Sequence, residues 1–309
     1  VGTQVISLLE ELGSEIISVS LDDIKLKAKK IKFVKKDLRE LNNCINLTKD
    51  CDVVINLAGV AGSPQITRKK PKSIFTPNIL FAINLLEASV ANKVKYYLYT
   101  SSYGVYNPFG DMKEKDNIWL ENLSPNDLYG GWAKRTAELH VKAVRQEFPK
   151  MIIPIVRPSN IFGPYANFDK KNSMVVPSLI NKISASPKKV KLFGDGTQVR
   201  DLVYSKDVAK MILMILCKKI NSTINVGSGV GTSIKTLAEK IKKHSNSSSK
   251  LIFEKKTFSG DQKRVLDMTK AKKHKVYIKS NFDESLLETI NWYKGNKKIY
   301  KKRYNSFHE

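Results

Sequence analysis

The feature that most restricts the fold is a regular alternation along the first half of the chain. Short β-rich runs at 15–20, 31–34, 53–57, 96–100 and 152–156 take turns with helical patterns, the clearest over 75–91 and 132–148. Strands that alternate with helices need crossover connections, and crossovers cover both faces of a parallel sheet. The expected class is therefore α/β, a doubly wound parallel sheet. Beyond Pro164 the pattern mixes: a helix from Val175, strands near Val190 and Leu202, helices from Asp207 and Ser233, and a last helix over 282–293. The stretch 244–250 is a polar loop, and no internal repeat is visible. At 309 residues the chain can bury a large core, as one α/β domain or two interleaved ones.

Two segments carry the chemistry. Thr100-Ser-Ser-Tyr-Gly-Val-Tyr106 closes a strand, and Tyr129-Gly-Gly-Trp-Ala-Lys134 enters a helix that continues to Glu138. A phenol with a reference pKa of about 10 is a poor base at neutral pH, but an ammonium beside it and the cationic ring of an oxidised nicotinamide stabilise the phenolate. Ser102, Tyr129 and Lys134 can thus remove a proton while a nicotinamide takes a hydride. Ser102 alone could merely cap a strand; Tyr106 four residues on and Tyr129 downstream favour the catalytic role. On these residues the chain resembles the extended short-chain dehydrogenase/reductase family of nucleotide-sugar epimerases, reductases and dehydratases, most closely its GDP-L-fucose-synthase-like members.

The resemblance runs almost end to end, and it implies a Rossmann-like dinucleotide-binding domain over 1–164, with 198–228 returning to it, and a smaller C-terminal α/β substrate domain over 165–309. Asp52-Val-Val-Ile-Asn-Leu57-Ala58-Gly59 is similar to the strand and turn that pass the cofactor, and Asn78 to the asparagine of the long central helix. Arg157-Pro158-Ser-Asn160-Ile-Phe-Gly-Pro164 matches the strand end where nicotinamide and sugar meet. Asp37-Leu38 corresponds to the pair that meets the adenine. Tyr103, Asn160, Val176, Arg200 and Arg264 fall where the family contacts sugar and diphosphate, the arginines because a planar fork suits phosphate oxygens.

A dinucleotide fold opens with a strand and a Gly-rich turn whose amides meet the pyrophosphate. Here Gly2 resembles the last glycine of that turn, followed by a helix-like run from Thr3 to Leu12. The first strand and turn, roughly ten residues, are expected to be missing. The acceptor for the adenosine ribose falls at Ser20, with Asp22 and Asp23 just beyond. Asp22 favours NAD, whereas Ser20 with Lys25 would admit NADP.

Subclass follows from substitutions. The acidic pair that dehydratases of the family carry after the catalytic hydroxyl is Tyr103-Gly104 here, and the Cys and His of the fucose synthases are Tyr103 and Met174. Hydride chemistry at C4 remains: 4-epimerisation or reduction of a 4-keto nucleotide-diphosphate sugar. One spacing departs from the family, whose YxxxK places both side chains on one helical face. Tyr129 and Lys134 are five apart, so either Tyr129 precedes a regular helix and flexible glycines steer it back, or the first turn holds a π-bulge. A rival reading is a cofactor-binding regulatory or scaffold protein on the same fold.

The formal charge of +25 raises nucleic acid as a partner. A nucleic-acid groove interleaves arginine and aromatics on one face, whereas the basic residues here, mostly lysine, are spread over connections and polar helix faces at 25–32, 68–72, 270–275 and 297–303, so a solvated surface is expected. No apolar run approaching a membrane span is evident and no signal peptide is visible, which with Cys44, Cys51 and Cys217 fits a cytoplasmic protein with buried thiols. The four histidines lie outside every motif and imply no metal site. The two long helices of the first half form a dimer interface in this family, so a homodimer is expected.

Overall fold

The computed structural model describes residues 1–22, 30–110, 112–114, 118–169, 172–254 and 261–296, together with Tyr304 and Phe307. Asp23, Lys25 with most of its basic stretch, Gly260, the basic tail at 297–303 and His308 lie outside the described residues. The order begins α1 (Gly2–Glu11), β1 (Ile16–Val19), β2 (Ile31–Val34), α2 (Leu41–Thr48), β3 (Val53–Asn56), α3 (Pro64–Lys69), α4 (Lys72–Ala91) and β4 (Tyr96–Thr100). It continues with α5 (Leu128–Glu147), β5 (Ile155–Pro158), β6 (Asn160–Phe162), α6 (Val175–Ser184), β7 (Lys189–Phe193), β8 (Val199–Tyr204) and α7 (Ser205–Cys217). The last elements are β9 (Thr223–Val226), β10 (Gly231–Ser233), α8 (Ile234–Ser245), β11 (Lys250–Glu254), β12 (Lys263–Arg264), α9 (Thr269–Lys273) and α10 (Phe282–Gly295).

The expected α/β class is what forms. Strands β3, β4, β5 and β9 make a parallel sheet in that order, with Tyr97, Leu98, Ile155, Val156 and Ile224 buried between the helices on its faces. Strands β1 and β2 form a separate parallel pair, hydrogen-bonded neither to β3 nor to one another's outer neighbours among the described residues. Side chains on these two edges stay open: Ile17 and Val53 are each more than two-fifths exposed. Helix α1 packs on α7 and starts beside the end of β3, where a Cβ on Gly2 would lie 3.9 Å from Leu57 Cδ1.

One core cluster joins β4, β5, α7, β9 and α9, while a second, with Phe162, Ile180, Leu192, Leu237 and Leu286, joins α6, β7, α8 and α10. Strand β8 lies between these regions, pairing with β6, β10 and β12. Residues 205–226 thus pack with the first sheet although they follow the start of the second region.

Two helices begin earlier than their periodicity indicates. Helix α4 starts at Lys72 and runs through Pro77, one turn before Phe75. By length and composition alone it would also cross a membrane, with a mean hydropathy of 1.5 over its best window. That corrects the expectation that no run approaches a span; Asn78 and Asn84 interrupt the apolar run too sparsely to lower the average. Half of that window is buried, and both asparagines donate to backbone carbonyls of the fold.

Helix α5 starts at Leu128, not Trp132, and contains Tyr129, Gly130 and Gly131 as ordinary helical residues without a π-bulge. Glycine is a poor helix former, which hides the first turn from sequence reading. Packing requires it. A Cβ on Gly131 would come within 2.7 Å of Gly104 O and 3.0 Å of Leu123 Cδ1, and one on Gly130 within 3.2 Å of Ile74 Cδ1 on α4. The glycines permit a close approach of α5 rather than a flexible hinge.

Candidate active site

Because the strands of one parallel sheet end on the same side, the residues that follow β3, β4 and β5 converge. After β3, the Ala58 amide donates to Asn56 Oδ1 at 3.1 Å, and Gly59 leaves room for two side chains. A Cβ there would lie 3.4 Å from Asn78 Oδ1 and 3.7 Å from Lys134 Nζ. Asn78 pins this turn: it accepts from the Val60 amide and donates to the Val60 carbonyl, both at 3.0 Å. After β4, Ser102 starts a 3-10 turn and accepts from the Gly104 amide at 3.0 Å. Pro158 is buried at the end of β5.

Lys134 reaches this junction from α5, donating to the Thr100 carbonyl at 2.7 Å, with its ammonium 5.0 Å from the centroid of the Tyr99 ring. Burial pushes its amine down to about 8, against the pull of the Glu138 carboxylate. One turn on, Glu138 accepts from Ser101 Oγ and from Arg157 Nε at 2.9 Å, while Arg157 Nη2 closes a second contact on its other oxygen. Arg157 also donates to Tyr106 OH at 3.0 Å, which itself donates to Asn225 Oδ1 at 2.6 Å. Helix α5 therefore holds Thr100 with one side chain and Ser101 with another, and so sets the position of Ser102 between them and the 3-10 turn. Burial works against the Arg157 charge, but the Glu138 carboxylate holds its guanidinium firmly protonated.

Tyr129 does not join this group. It is 45% exposed and its hydroxyl makes no hydrogen bond among the described residues. Five helical positions separate it from Lys134 by roughly 140° around the axis.

A second cluster faces the first across Tyr103. The Tyr103 hydroxyl donates to Asn160 Oδ1 at 2.9 Å, and Asn160 donates to the Asp201 carbonyl at 3.2 Å. The Arg264 guanidinium stacks over the Tyr103 ring at 5.0 Å, donates to Asp127 Oδ2 at 2.6 Å and lies 2.7 Å from Asp261 Oδ2. Arg200 donates to the Asp261 and Val199 carbonyls. Arg264 is almost wholly buried, yet its Nη2 has no hydrogen-bond partner among the described residues. Burial pushes the Tyr103 phenol up, and the two arginines oppose it. Val176 stands apart, buried in the second core cluster.

The remaining predicted cofactor residues form a rim beside β1 and β2. The Ser20 amide donates to the Val34 carbonyl, and Ser20 Oγ accepts from the Asp22 amide at 3.0 Å. Asp22 accepts from the Tyr304 amide at 2.7 Å. Arg39, bound to Asp37 through Nε and Nη2, holds its carboxyl below the usual range, and the Leu38 carbonyl accepts from Asn84. Among the described residues no group of His, Cys, Asp and Glu is arranged to hold a metal.

Asp201, which beside Arg200 resembles part of the family's diphosphate element, is buried and accepts from Ser159, Ser228 and Gly229, which ties the loops after β5 and β9 together. One member of the site escaped sequence reading. Asp127 lies beside Arg264; an aspartate just before a helix is a capping signal, and that was the available clue.

These residues suit a nicotinamide dinucleotide: a lysine with one of its three N–H bonds engaged, beside a turn without a Cβ, at the carboxyl ends of parallel strands. Over residues 1–227 the chain matches the family described as NAD dependent epimerase/dehydratase. It is 29% identical over 304 residues, 96% of each chain, to a putative UDP-glucose 4-epimerase of Methanocaldococcus jannaschii. It is 27% identical over 210 residues to GDP-mannose 3,5-epimerase of Arabidopsis thaliana, 66% of this chain and 55% of that one; the chain spans about half the length of such relatives. In structure it is similar to a UDP-glucose 4-epimerase of Thermotoga maritima, with a TM-score of 0.84 at 23% identity over 96% of both chains. With a match that covers well over half of its residues, the chain belongs to the NAD-dependent epimerase/dehydratase family.

Proposed function

We propose that the protein uses NAD to epimerise a nucleotide-diphosphate sugar at C4, or to reduce the corresponding 4-keto sugar. The observation that carries this reading is the adjacency of Ser102 and Tyr103. Ser102 directly follows the Thr100–Ser101 segment that Lys134 and Glu138 hold, and Tyr103 lies under Arg264 and beside Asn160, so a single turn links the Lys134 end to the diphosphate end. Arg200 and the unpaired Nη2 of Arg264 supply donors for diphosphate oxygens. Asp22 near the β1 end disfavours a 2′-phosphate and supports NAD over NADP.

When bound, the cofactor supplies a hydride acceptor and donor. Gly59, Asn78, Lys134 and Pro158 would hold its nicotinamide half, and Gly2, Ser20, Asp22, Asp37 and Leu38 its adenosine half. Ser102 donates a hydrogen bond to the sugar O4. Tyr129 would take the proton from the sugar O4 in the oxidising direction and return it to O4 in the reducing direction. Lys134 stabilises the phenolate formed meanwhile. Tyr129 must turn inward for this step, and its exposed, unpartnered hydroxyl favours a second reading in which the site binds cofactor and nucleotide sugar without turnover.

Incubation with UDP- and GDP-sugars, with NAD or NADPH, separates the two. Reduced-nicotinamide absorbance and NMR of the products should reveal C4 inversion or reduction, and Tyr129→Phe should lower turnover by a factor on the order of 10² to 10⁴ with cofactor affinity kept. Tight binding of both ligands without product would establish the second reading.

A further inference from the structure

The lead-in to α5 is attached to the arginine cluster at three points. Ser124 Oγ and Asn126 Nδ2 donate to Asp261 Oδ1 at 2.7 and 3.0 Å, and Asp127 Oδ2 accepts from Arg264 Nη1 at 2.6 Å. Asp127 is also the N-cap residue of α5, yet its side chain makes no capping hydrogen bond. Aspartate is among the strongest N-cap residues, and its carboxylate normally accepts from the second or third helical amide. Here those amides belong to Tyr129 and Gly130. Arg264 and the start of α5 therefore compete for one carboxylate, and in this structure Arg264 holds it.

The two carboxylates on Arg264 are unequal. Asp261 has a side chain 11% exposed and is held from several sides, whereas the Asp127 side chain is 41% exposed. An anionic diphosphate arriving at Arg264 repels both and displaces the one that can leave. The Asp127 carboxylate also sits close to the catalytic turn: a Cβ on Gly104 would lie 3.3 Å from Ser102 Oγ and 3.6 Å from Asp127 Oδ2.

We propose that Asp127 is a positioning residue that couples diphosphate binding at Arg264 to the placement of Tyr129. The proposal rests on the nucleotide-sugar reading above. Released by the diphosphate, the Asp127 carboxylate turns back to accept from the Tyr129 and Gly130 amides. This caps a first turn of α5 that is already helical, re-seats it against the Gly104 turn and draws an exposed Tyr129 toward Ser102. Such a device answers the five-residue spacing: the tyrosine is out of place until the substrate's anionic group occupies the arginine.

Hydrogen exchange of the 127–133 backbone tests the competition without any ligand. Arg264→Met frees Asp127, so the Tyr129 and Gly130 amides should exchange more slowly than in the unchanged protein, and adding Asp127→Ala should restore fast exchange. Should Arg264→Met fail to fold, Asp127→Ala alone decides. UDP or GDP should bind it about two- to fivefold more tightly, the range of a partly exposed ion pair, without the protection at Tyr129 and Gly130 that the nucleotide induces in the unchanged protein. Exchange that ignores both Arg264→Met and nucleotide, or an Asp127→Ala variant of normal melting temperature that binds nucleotide no more tightly, overturns the coupling. If the unchanged protein binds neither UDP nor GDP, the nucleotide-sugar reading fails instead, while the ligand-free comparison still decides the coupling.

Discussion

Glu138 accepts from Ser101 and twice from Arg157, all within the protein interior. Its truncation leaves a buried guanidinium without a counter-charge and loosens the Thr100–Ser102 segment. Glu138→Ala should cost about 3 to 5 kcal/mol in denaturant unfolding; a loss below 1 kcal/mol would mean that water or another acid replaces it. Lys134 offers a titration. Its amine sits near 8 in the fold, below the roughly 10.4 of an unfolded lysine, because burial disfavours the charge. The unfolded chain therefore holds the extra proton between these values, so this site's contribution to stability rises with pH across about 8 to 10. Phenolate stabilisation runs the other way, since it needs the ammonium. The alkaline limb of kcat/KM should show an apparent pKa near 8 and move upward in Lys134→Arg. A limb that stays in place in this variant would belong to another group.

At the scale of elements, α5 does most to organise the site. Its glycine pair brings it against α4 and the Gly104 turn, and its Lys134 and Glu138 grip the end of β4. The opposite face carries Leu128, Trp132 and Leu139, each about two-fifths or more exposed and spaced to fall on one stripe. An apolar stripe on a long surface helix fits a second copy of the same helix. The protein should sediment as a dimer at micromolar concentration and Leu139→Glu as a monomer; a monomeric unchanged protein would end this assignment. The structural reason for the early starts of α4 and α5 belongs to this scale too. Pro77 and the glycine pair weaken helix propensity locally, and the contacts of α4 with α5 overcome that weakness.

For the whole molecule, the alternation of strands and helices determined the α/β class and the approximate places of β3, β4 and β5, and the strand-end motifs pointed to the family, because both are local properties of the chain; β9, which completes the main sheet, was not read as a strand. That Lys134, Gly59 and Asn78 come together was legible for the same reason: each sits at a fixed offset from a strand or helix signal, and parallel strands carry such offsets to one edge. What only the tertiary structure decided is which charges meet. Arg264 was expected to face a diphosphate, but that Asp127 already pairs with it depends on residues 137 positions apart coming together. The burial of Val176 in the second core likewise comes from how α6 packs on α8. So does the role of Gly130 and Gly131, whose sequence signature is the same for a hinge as for a close contact. Sequence spacing sets where a side chain lies along its own element; its neighbours on other elements are set by packing, and packing is where this site acquired its arginine–aspartate pair.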